Sequence, residues 1–318
     1  MEMSELMIDI LMATYNGEKH LKEQLRSIER QSYKNWRLIV HDDASTDSTW
    51  EILKKFQGRH GKDKVIIRKN NPPSGASKRN FMGLIQSCSG EYMMCCDQDD
   101  VWHEDKVENT FRRMRQMEKR YGKNLPLLVY TDLRVVDISL KEIHPSFHSY
   151  MNLRTNNKLA YELTQNQVTG CTVMINRRLK KYADQAENLD KIVMHDHWLA
   201  LIALVFGKIS YLSQATVDYR QHGDNVVGAQ NAKSFAYMWQ RFCRGKEKFV
   251  HDMRDSCCQA GYFNQLYLSC INDKKMIKLL KNYENLYEKN KVNRIICFCK
   301  YGFWKKGTVR KIVQIIWG

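Results

Sequence analysis

Two features of the first 230 residues predict an α/β fold, a mostly parallel sheet with helices on both faces, followed by a C-terminal helical extension. Short apolar runs alternate with stretches of helical periodicity, and polar clusters fall where the apolar runs end. Residues 7–13 read as a buried strand, closed by the turn chemistry of Thr14-Tyr15-Asn16-Gly17. Leu21, Leu25 and Ile28 then recur at helical spacing. Residues 36–40 form a second apolar run, with Asp42-Asp43 beyond it, and a helix over 48–56 turns Trp50, Leu53 and Phe56 to one side. A strand over 65–68 and a helix over 80–87 lead to the run at 92–96, and a helical pattern starts near Lys106. Strands are expected at 127–133, 168–176 and 209–212, and an apolar helix at 199–206.

With 318 residues, 43% of them hydrophobic, the chain can bury one large core. Residues 1–5 are polar and acidic and the following apolar run is too short to span a bilayer, so the catalytic part is expected to face the cytoplasm. Ten cysteines show no Cys-x-x-Cys pair, which points to reduced thiols packed as small hydrophobes. The net charge of +16 is uneven: residues 232–318 carry 18 Lys and Arg against 6 Asp and Glu, leaving only +4 for the rest. A basic, aromatic-rich tail points to an anionic partner, either a membrane surface or nucleic acid. Its apolar runs around 295–304 and 309–317 are too short and too charged to cross a bilayer, and fit helices lying in the headgroup region.

The stretch from Asp97 to Trp102 is the most informative chemically. Three carboxylates, Asp97, Asp99 and Asp100, crowd the turn after an apolar strand, and they repel one another unless a cation sits among them. Oxygen-rich clusters suit Mg²⁺ or Mn²⁺, and Mg²⁺ commonly pairs one or two protein carboxylates with substrate phosphates. An Asp-x-Asp at a strand end is thus a clamp for a metal diphosphate, against the plainer reading of an acidic turn. The pattern argues against an EF-hand, because Trp102 stands where that loop needs Gly and a strand precedes it. No Gly-x-Gly-x-x-Gly or Walker A sequence is present, which argues against dinucleotide oxidoreductases and P-loop NTPases. Ligands of such sheets bind beyond the carboxyl ends of the strands, so Thr14 to Asn16, Asp42-Asp43 and Asp97 to Asp100 are expected to line one crevice.

Three motifs in order, residues 10–17, 31–47 and 97–102, resemble the family 2 glycosyltransferases with the GT-A fold (nucleotide-diphospho-sugar transferases). Asp97-Gln-Asp-Asp-Val-Trp102 is most similar to the bacterial rhamnosyltransferase-like branch, and the resemblance covers roughly residues 7–230. It implies that Thr14, Tyr15 and Asp42 hold the nucleobase, with Asn16 beside them. Asp97 and Asp99 would bind Mn²⁺ or Mg²⁺ and the diphosphate, Asp99 as the direct ligand. The resemblance further implies that Asp196 is the general base, that Arg220 meets the diphosphate and that His222 completes the metal shell. Asp100 is assigned to the donor sugar, and Trp102, Gly170 and Trp198 to the acceptor.

The expected domains are a glycosyltransferase domain over 1–231, with a nucleotide-sugar half to 106 and an acceptor half from 107, and a membrane-associating region over 232–318. The expected activity is inverting, metal-dependent transfer of a sugar, rhamnose among the candidates, from a nucleotide-diphosphate donor to a hydroxyl. The acceptor would be a lipid-linked or polymeric surface glycan of capsule, O-antigen or exopolysaccharide type. The enzyme would act as a peripheral protein on the inner face of a bacterial cell membrane, with an anionic lipid surface as partner and no nucleic acid. The alternatives are a nucleotidyltransferase, which usually carries a Gly-rich, basic first loop that 14–17 lack, and a nucleic-acid-binding protein using the tail.

Overall fold

The computed structural model describes residues 6–221 and 235–318, with side chains from 245 onward in the second stretch. Strands β1 (Ile8–Thr14), β2 (Trp36–Asp42), β3 (Val65–Lys69) and β4 (Tyr92–Cys96) alternate with helices α1 (Leu21–Glu29), α2 (Thr49–His60) and α3 (Ser77–Ser87). Next come β5 (Val101–Trp102), α4 (Lys106–Tyr121), β6 (Leu127–Val136), β7 (Glu142–His144), α5 (Phe147–Tyr150) and α6 (Leu159–Thr164). Then follow β8 (Val173–Asn176), α7 (Arg177–Ala183), α8 (His195–Phe206) and β9 (Lys208–Arg220). Helices α9 (Phe235–Tyr267), α10 (Lys274–Glu284), α11 (Lys291–Tyr301) and α12 (Thr308–Trp317) complete the described chain.

These strands make one sheet in the order β3-β2-β1-β4-β8-β6-β9-β5, with β7 paired to β6. β3, β2, β1 and β4 are mutually parallel, but β8 lies antiparallel between β4 and β6, and β5 is antiparallel to β9. The sheet is therefore mixed, with its longest ladders parallel. Helices do cover both faces, and the period of two divides the strand residues between them. Ile10, Met12, Tyr92, Met94 and Cys96 pack with residues of α1, α2 and α4. Leu11, Met93 and Cys95 pack on the other side with α3, α7, α8 and the C-terminal helices. Burial on both sides explains why these strands read as unbroken apolar runs. The polar intruder, Asp9, is fully buried and takes a bidentate pair from Arg37 at 2.8 and 2.9 Å, directly across the β1–β2 ladder.

Two expected strands differ. Of residues 168–176 only Val173–Asn176 is a strand, because Gly170–Thr172 forms a 3₁₀ turn in which the Thr172 N–H donates back to the Thr169 carbonyl at 3.0 Å. β9 runs thirteen residues instead of four, its polar Ser213-Gln214 stretch carried by register shifts against β6 near Thr131 and Asp132.

The C-terminal helices share the buried cluster of the sheet's second face. Met253, Cys257, Phe263 and Tyr267 of α9, Leu280 and Tyr283 of α10, and Phe298 of α11 all belong to it. Trp198 sits at its centre, fully buried, with ring centroids 5.4 Å from Phe263 and 5.6 Å from Tyr262. That position corrects the assignment of Trp198 to the acceptor: its ring anchors α9 to α8 and presents no surface to a ligand.

Candidate active site

A crevice of about 620 Å³ opens beyond the carboxyl ends of β1, β2 and β4, within the roughly 300–1,000 Å³ usual for ligand clefts. Thr14 and Tyr15 form one wall, and Asp43 with the 73–77 segment before α3 forms another. Asp97, Gln98 and Asp99 make the floor, and Gly170, His195 and Asp196 close the far side.

The turns at the mouth are fixed by one another. Gln98 clasps the Tyr15 backbone, accepting from its N–H and donating to its carbonyl, both at 2.9 Å. A side chain at Gly17 would put its Cβ 2.3 Å from Gln98 Oε1, so the bare backbone there is what admits the clasp. Tyr15 is left 59% exposed on the rim. Asn16 and Ala44 both adopt left-handed backbone, φ 47° and 62°, a costly conformation for residues with a side chain. The Asn16 side chain does not line the crevice; it accepts from the Thr46 N–H at 2.9 Å and ties the first turn to the second.

Asp42 is also corrected. It is fully buried, accepting from Thr14 Oγ1 at 3.0 Å and from the Ser45 N–H at 3.1 Å, so it supports the wall from behind. The carboxylate on the crevice is its neighbour Asp43. Burial raises the Asp43 pKa, but hydrogen bonds from Asn70 and from the Ser74 and Gly75 N–H groups outweigh it and hold the group below the usual carboxylate range.

On the floor, burial first, then the charges of Asp99 and Asp196, push Asp97 up to about 7. Asp100 is 1% exposed and does not line the crevice, which corrects its assignment to the donor sugar. Its carboxyl, raised well above the ordinary range by burial and by Asp99 and Asp97, faces the Cys171 thiol, and Oδ2 has no hydrogen-bond partner among the described residues. Asp97, Asp100 and Cys171 each place a ligand atom within 4.8 Å of the others. Arg220 stands behind this loop: its guanidinium donates to the Asp99 carbonyl at 3.0 Å, to the Ile138 carbonyl and to Glu23. It is 3% exposed and braces the acidic turn instead of facing the crevice, so a direct contact with the diphosphate is corrected as well. Trp102 is likewise buried, at 2%, under the Lys106 ammonium, and offers no face to an acceptor. His222 lies outside the described residues.

Asp196 occupies the first turn of α8, whose N-cap is Met194. Its Oδ1 accepts from Asn166 Nδ2 at 2.9 Å and from the His197 N–H at 2.6 Å, while burial raises its pKa to about 6. Gly170 allows this close packing: a Cβ there would stand 2.7 Å from His195 Nε2 and 3.5 Å from Asp196 Oδ2. Gly170→Ala is therefore expected to cost about 1–3 kcal/mol of stability by overpacking against the His195 ring, read as a lower midpoint in urea, and to lower turnover by shifting that ring beside Asp196.

The crevice thus gathers Thr14, Tyr15, Asp97, Asp99, Gly170 and Asp196 of the expected residues. Asp43 and Gln98 fall inside the polar clusters expected to line the crevice, though without an assigned role, whereas sequence reasoning missed the 73–77 segment and gave His195 no place in the site. The segment had a usable signal, since it follows β3 at the same end of the sheet as the other clusters.

The glycosyl transferase family 2 model matches residues 9–182. The chain is 29% identical over 228 residues to dTDP-rhamnosyl transferase RfbG of Shigella flexneri, covering 69% of this chain and 74% of that protein. It is 23% identical over 257 residues to TuaG of Bacillus subtilis, a putative teichuronic acid biosynthesis glycosyltransferase, covering 80% and 94%. Among solved structures, S. aureus TarS 1-349 in complex with UDP aligns with a TM-score of 0.57 and 16% identity, covering 91% of this chain and 74% of that one. The Pyrobaculum calidifontis mannosyltransferase PcManGT, in complex with GDP-Man and Mn²⁺, aligns at 0.55 and 15%, covering 92% and 73%. The fold is that of the GT-A glycosyltransferases, and the chain belongs to glycosyl transferase family 2.

Proposed function

We propose that this glycosyltransferase is inverting and metal-dependent, moving a sugar from a nucleotide diphosphate to a hydroxyl of a bacterial surface glycan. The observation that carries the metal is the charge of the crevice. Asp43, Asp97, Asp99 and Asp196 line it, and among the described residues no Lys or Arg does. An anionic diphosphate cannot enter such a site without a cation. Asp97 and Asp99 would hold that cation, consistent with the raised Asp97 pKa, which reports burial first and then the like charges of Asp99 and Asp196. A divalent ion there supplies charge neutralisation for the departing diphosphate.

The chain's own part is positioning and proton transfer. Tyr15 offers an exposed ring at the mouth for a nucleobase, with Thr14 and Asp43 beneath it. Asp196, across the crevice from the Tyr15 rim, takes the proton of the attacking hydroxyl as the new glycosidic bond forms. Asn166 and the His197 N–H hold that carboxylate in place. A single displacement needs one base and no enzyme-bound sugar, unlike retaining hydrolysis, which needs two carboxylates flanking the sugar. Rhamnose is a candidate sugar because RfbG is named as a dTDP-rhamnosyl transferase. The test is turnover of a panel of UDP-, dTDP- and GDP-sugars with Mn²⁺. Release of nucleotide diphosphate from one of them supports the reading, and a panel with no turnover in Mn²⁺ or Mg²⁺ refutes it.

The tail supports peripheral membrane association. Among the described residues no helix is long and apolar enough to cross a membrane. α12 exposes Val309 (74%), Ile312, Ile315 and Ile316, and α11 exposes Val292 and Ile296, next to Lys291, Lys300, Arg310 and Lys311. Apolar groups ringed by cations suit an anionic lipid surface, at about 1 kcal/mol for each Lys or Arg near it. Phe298 and Phe303 are fully buried in the core, so removing the whole tail would damage the fold. Exchanging Val309, Ile312 and Ile316 for Ser is expected to abolish flotation with anionic vesicles at unchanged thermal midpoint. Undiminished flotation of that variant would contradict the membrane reading.

A further inference from the structure

His195 lines the same crevice as Asp196, and the chemistry above leaves it without a task. It is 2% exposed, and neither ring nitrogen has a hydrogen-bond partner among the described residues. The ring lies flat on Phe81, with centroids 4.2 Å apart and planes at 21°, so its orientation is set by packing. His197, two residues on, shows the contrast. Its Nε2 meets the Glu162 carbonyl at 2.7 Å and its Nδ1 meets Gln259 at 3.1 Å, as a histidine of the core should. Leaving both polar atoms of a buried ring unmet is costly, and an aliphatic side chain of similar size would avoid the cost.

The surroundings indicate what meets the ring. A Cβ on Gly170 would stand 2.7 Å from His195 Nε2 and 3.5 Å from Asp196 Oδ2, so the bare backbone of the glycine brings both polar atoms together at one side of the crevice. Burial pushes the imidazole down to about 3, which leaves a neutral ring with one N–H donor and one nitrogen acceptor. Such a group matches an uncharged hydroxyl, which can both give and receive a hydrogen bond. Hydroxyls on adjacent carbons of a sugar ring stand close enough for one to meet Asp196 while its neighbour meets His195.

We propose that His195 is a specificity-determining residue that hydrogen-bonds the acceptor-sugar hydroxyl adjacent to the one deprotonated by Asp196. The inference rests on the glycosyl-transfer reading. It confines acceptors to sugars with two neighbouring free hydroxyls of suitable orientation, and a site built around a hydroxyl strongly rejects analogues that lack it.

The test compares the wild type with His195→Leu, which keeps roughly the volume without polar atoms, and His195→Gln, which keeps a donor and an acceptor. The donor is the nucleotide sugar that the wild type turns over. The acceptors are methyl glycosides of rhamnose, glucose, galactose and N-acetylglucosamine, with the monodeoxy analogues of whichever is glycosylated. His195→Leu should match or exceed the wild type in thermal midpoint and be stabilised equally by donor. Its kcat/KM for the acceptor should fall roughly 10- to 100-fold, the range for one hydrogen bond to a buried group. One deoxy analogue should cost the wild type the same factor and cost the Leu variant nothing further, and Gln should restore part of the loss. Unchanged acceptor kcat/KM in the Leu variant overturns the proposal, as do equal losses in both proteins on every analogue. So does a wild type that turns over its donor yet glycosylates none of the four glycosides. A wild type that binds no nucleotide sugar strikes the glycosyl-transfer reading itself.

Discussion

Asp196→Asn is expected to lower turnover by roughly 10²–10⁴-fold, the contribution typical of a general base, while leaving donor binding nearly unchanged. The amide keeps the shape of the carboxylate and can still accept from the His197 N–H, so α8 should start as before. What is lost is the site that receives the hydroxyl proton. The pH profile gives an independent check. With its pKa raised to about 6 by burial, Asp196 is ionised above that pH and protonated below it, so kcat/KM should fall about tenfold per unit on the acid side. The Asn166 hydrogen bond favours the ionised form, and Asn166→Ala should therefore move that acid limb upward. Equal loss of donor affinity and turnover in Asp196→Asn, or an acid limb that ignores Asn166, would mark Asp196 as a structural residue of the first turn.

Asp99→Asn carries the second large effect. Asp99 lines the crevice floor beside Asp97, and its backbone carbonyl is held by Arg220, so the substitution removes charge without freeing the loop. Nucleotide diphosphate binding is expected to lose its dependence on Mn²⁺ and to weaken by roughly 10²-fold, in the range for lost ligation or orientation at a metal site. The thermal midpoint without metal should hold or rise, because one of the crowded carboxylates is neutralised. Mn²⁺-dependent binding of unchanged affinity would remove Asp99 from the site.

Much of this architecture is legible in the residues themselves, and the reason is physical. β1, β2 and β4 are covered on both faces, so most of their positions are apolar and each strand runs out at a polar cluster. Those ends place Thr14, Asp97 and Asp99 together by topology alone. Strand direction is not written in apolar runs, which is why the antiparallel insertion of β8 and the length of β9 escape notice. The site's misassignments share a cause at the next level, side-chain direction. Asp42 and Asp43 are adjacent, yet one points under the wall and the other onto it. Arg220 is drawn back by Glu23 and two carbonyls far away in sequence. Trp102 and Trp198 read equally well as sugar platforms or as core, and only the packing of α4 and α9 decides for core. His195 is hidden by the opposite effect, a polar residue whose lack of partners becomes apparent only once its neighbours are placed.

A crevice lined by Asp43, Asp97, Asp99 and Asp196 is expected to admit a nucleotide diphosphate only together with a divalent cation. Calorimetric titration of the wild type with UDP and dTDP, in Mn²⁺ and again in excess EDTA, measures this dependence. Saturable binding of at least one nucleotide is expected in Mn²⁺ and none in EDTA. Equal affinity under both conditions would contradict it.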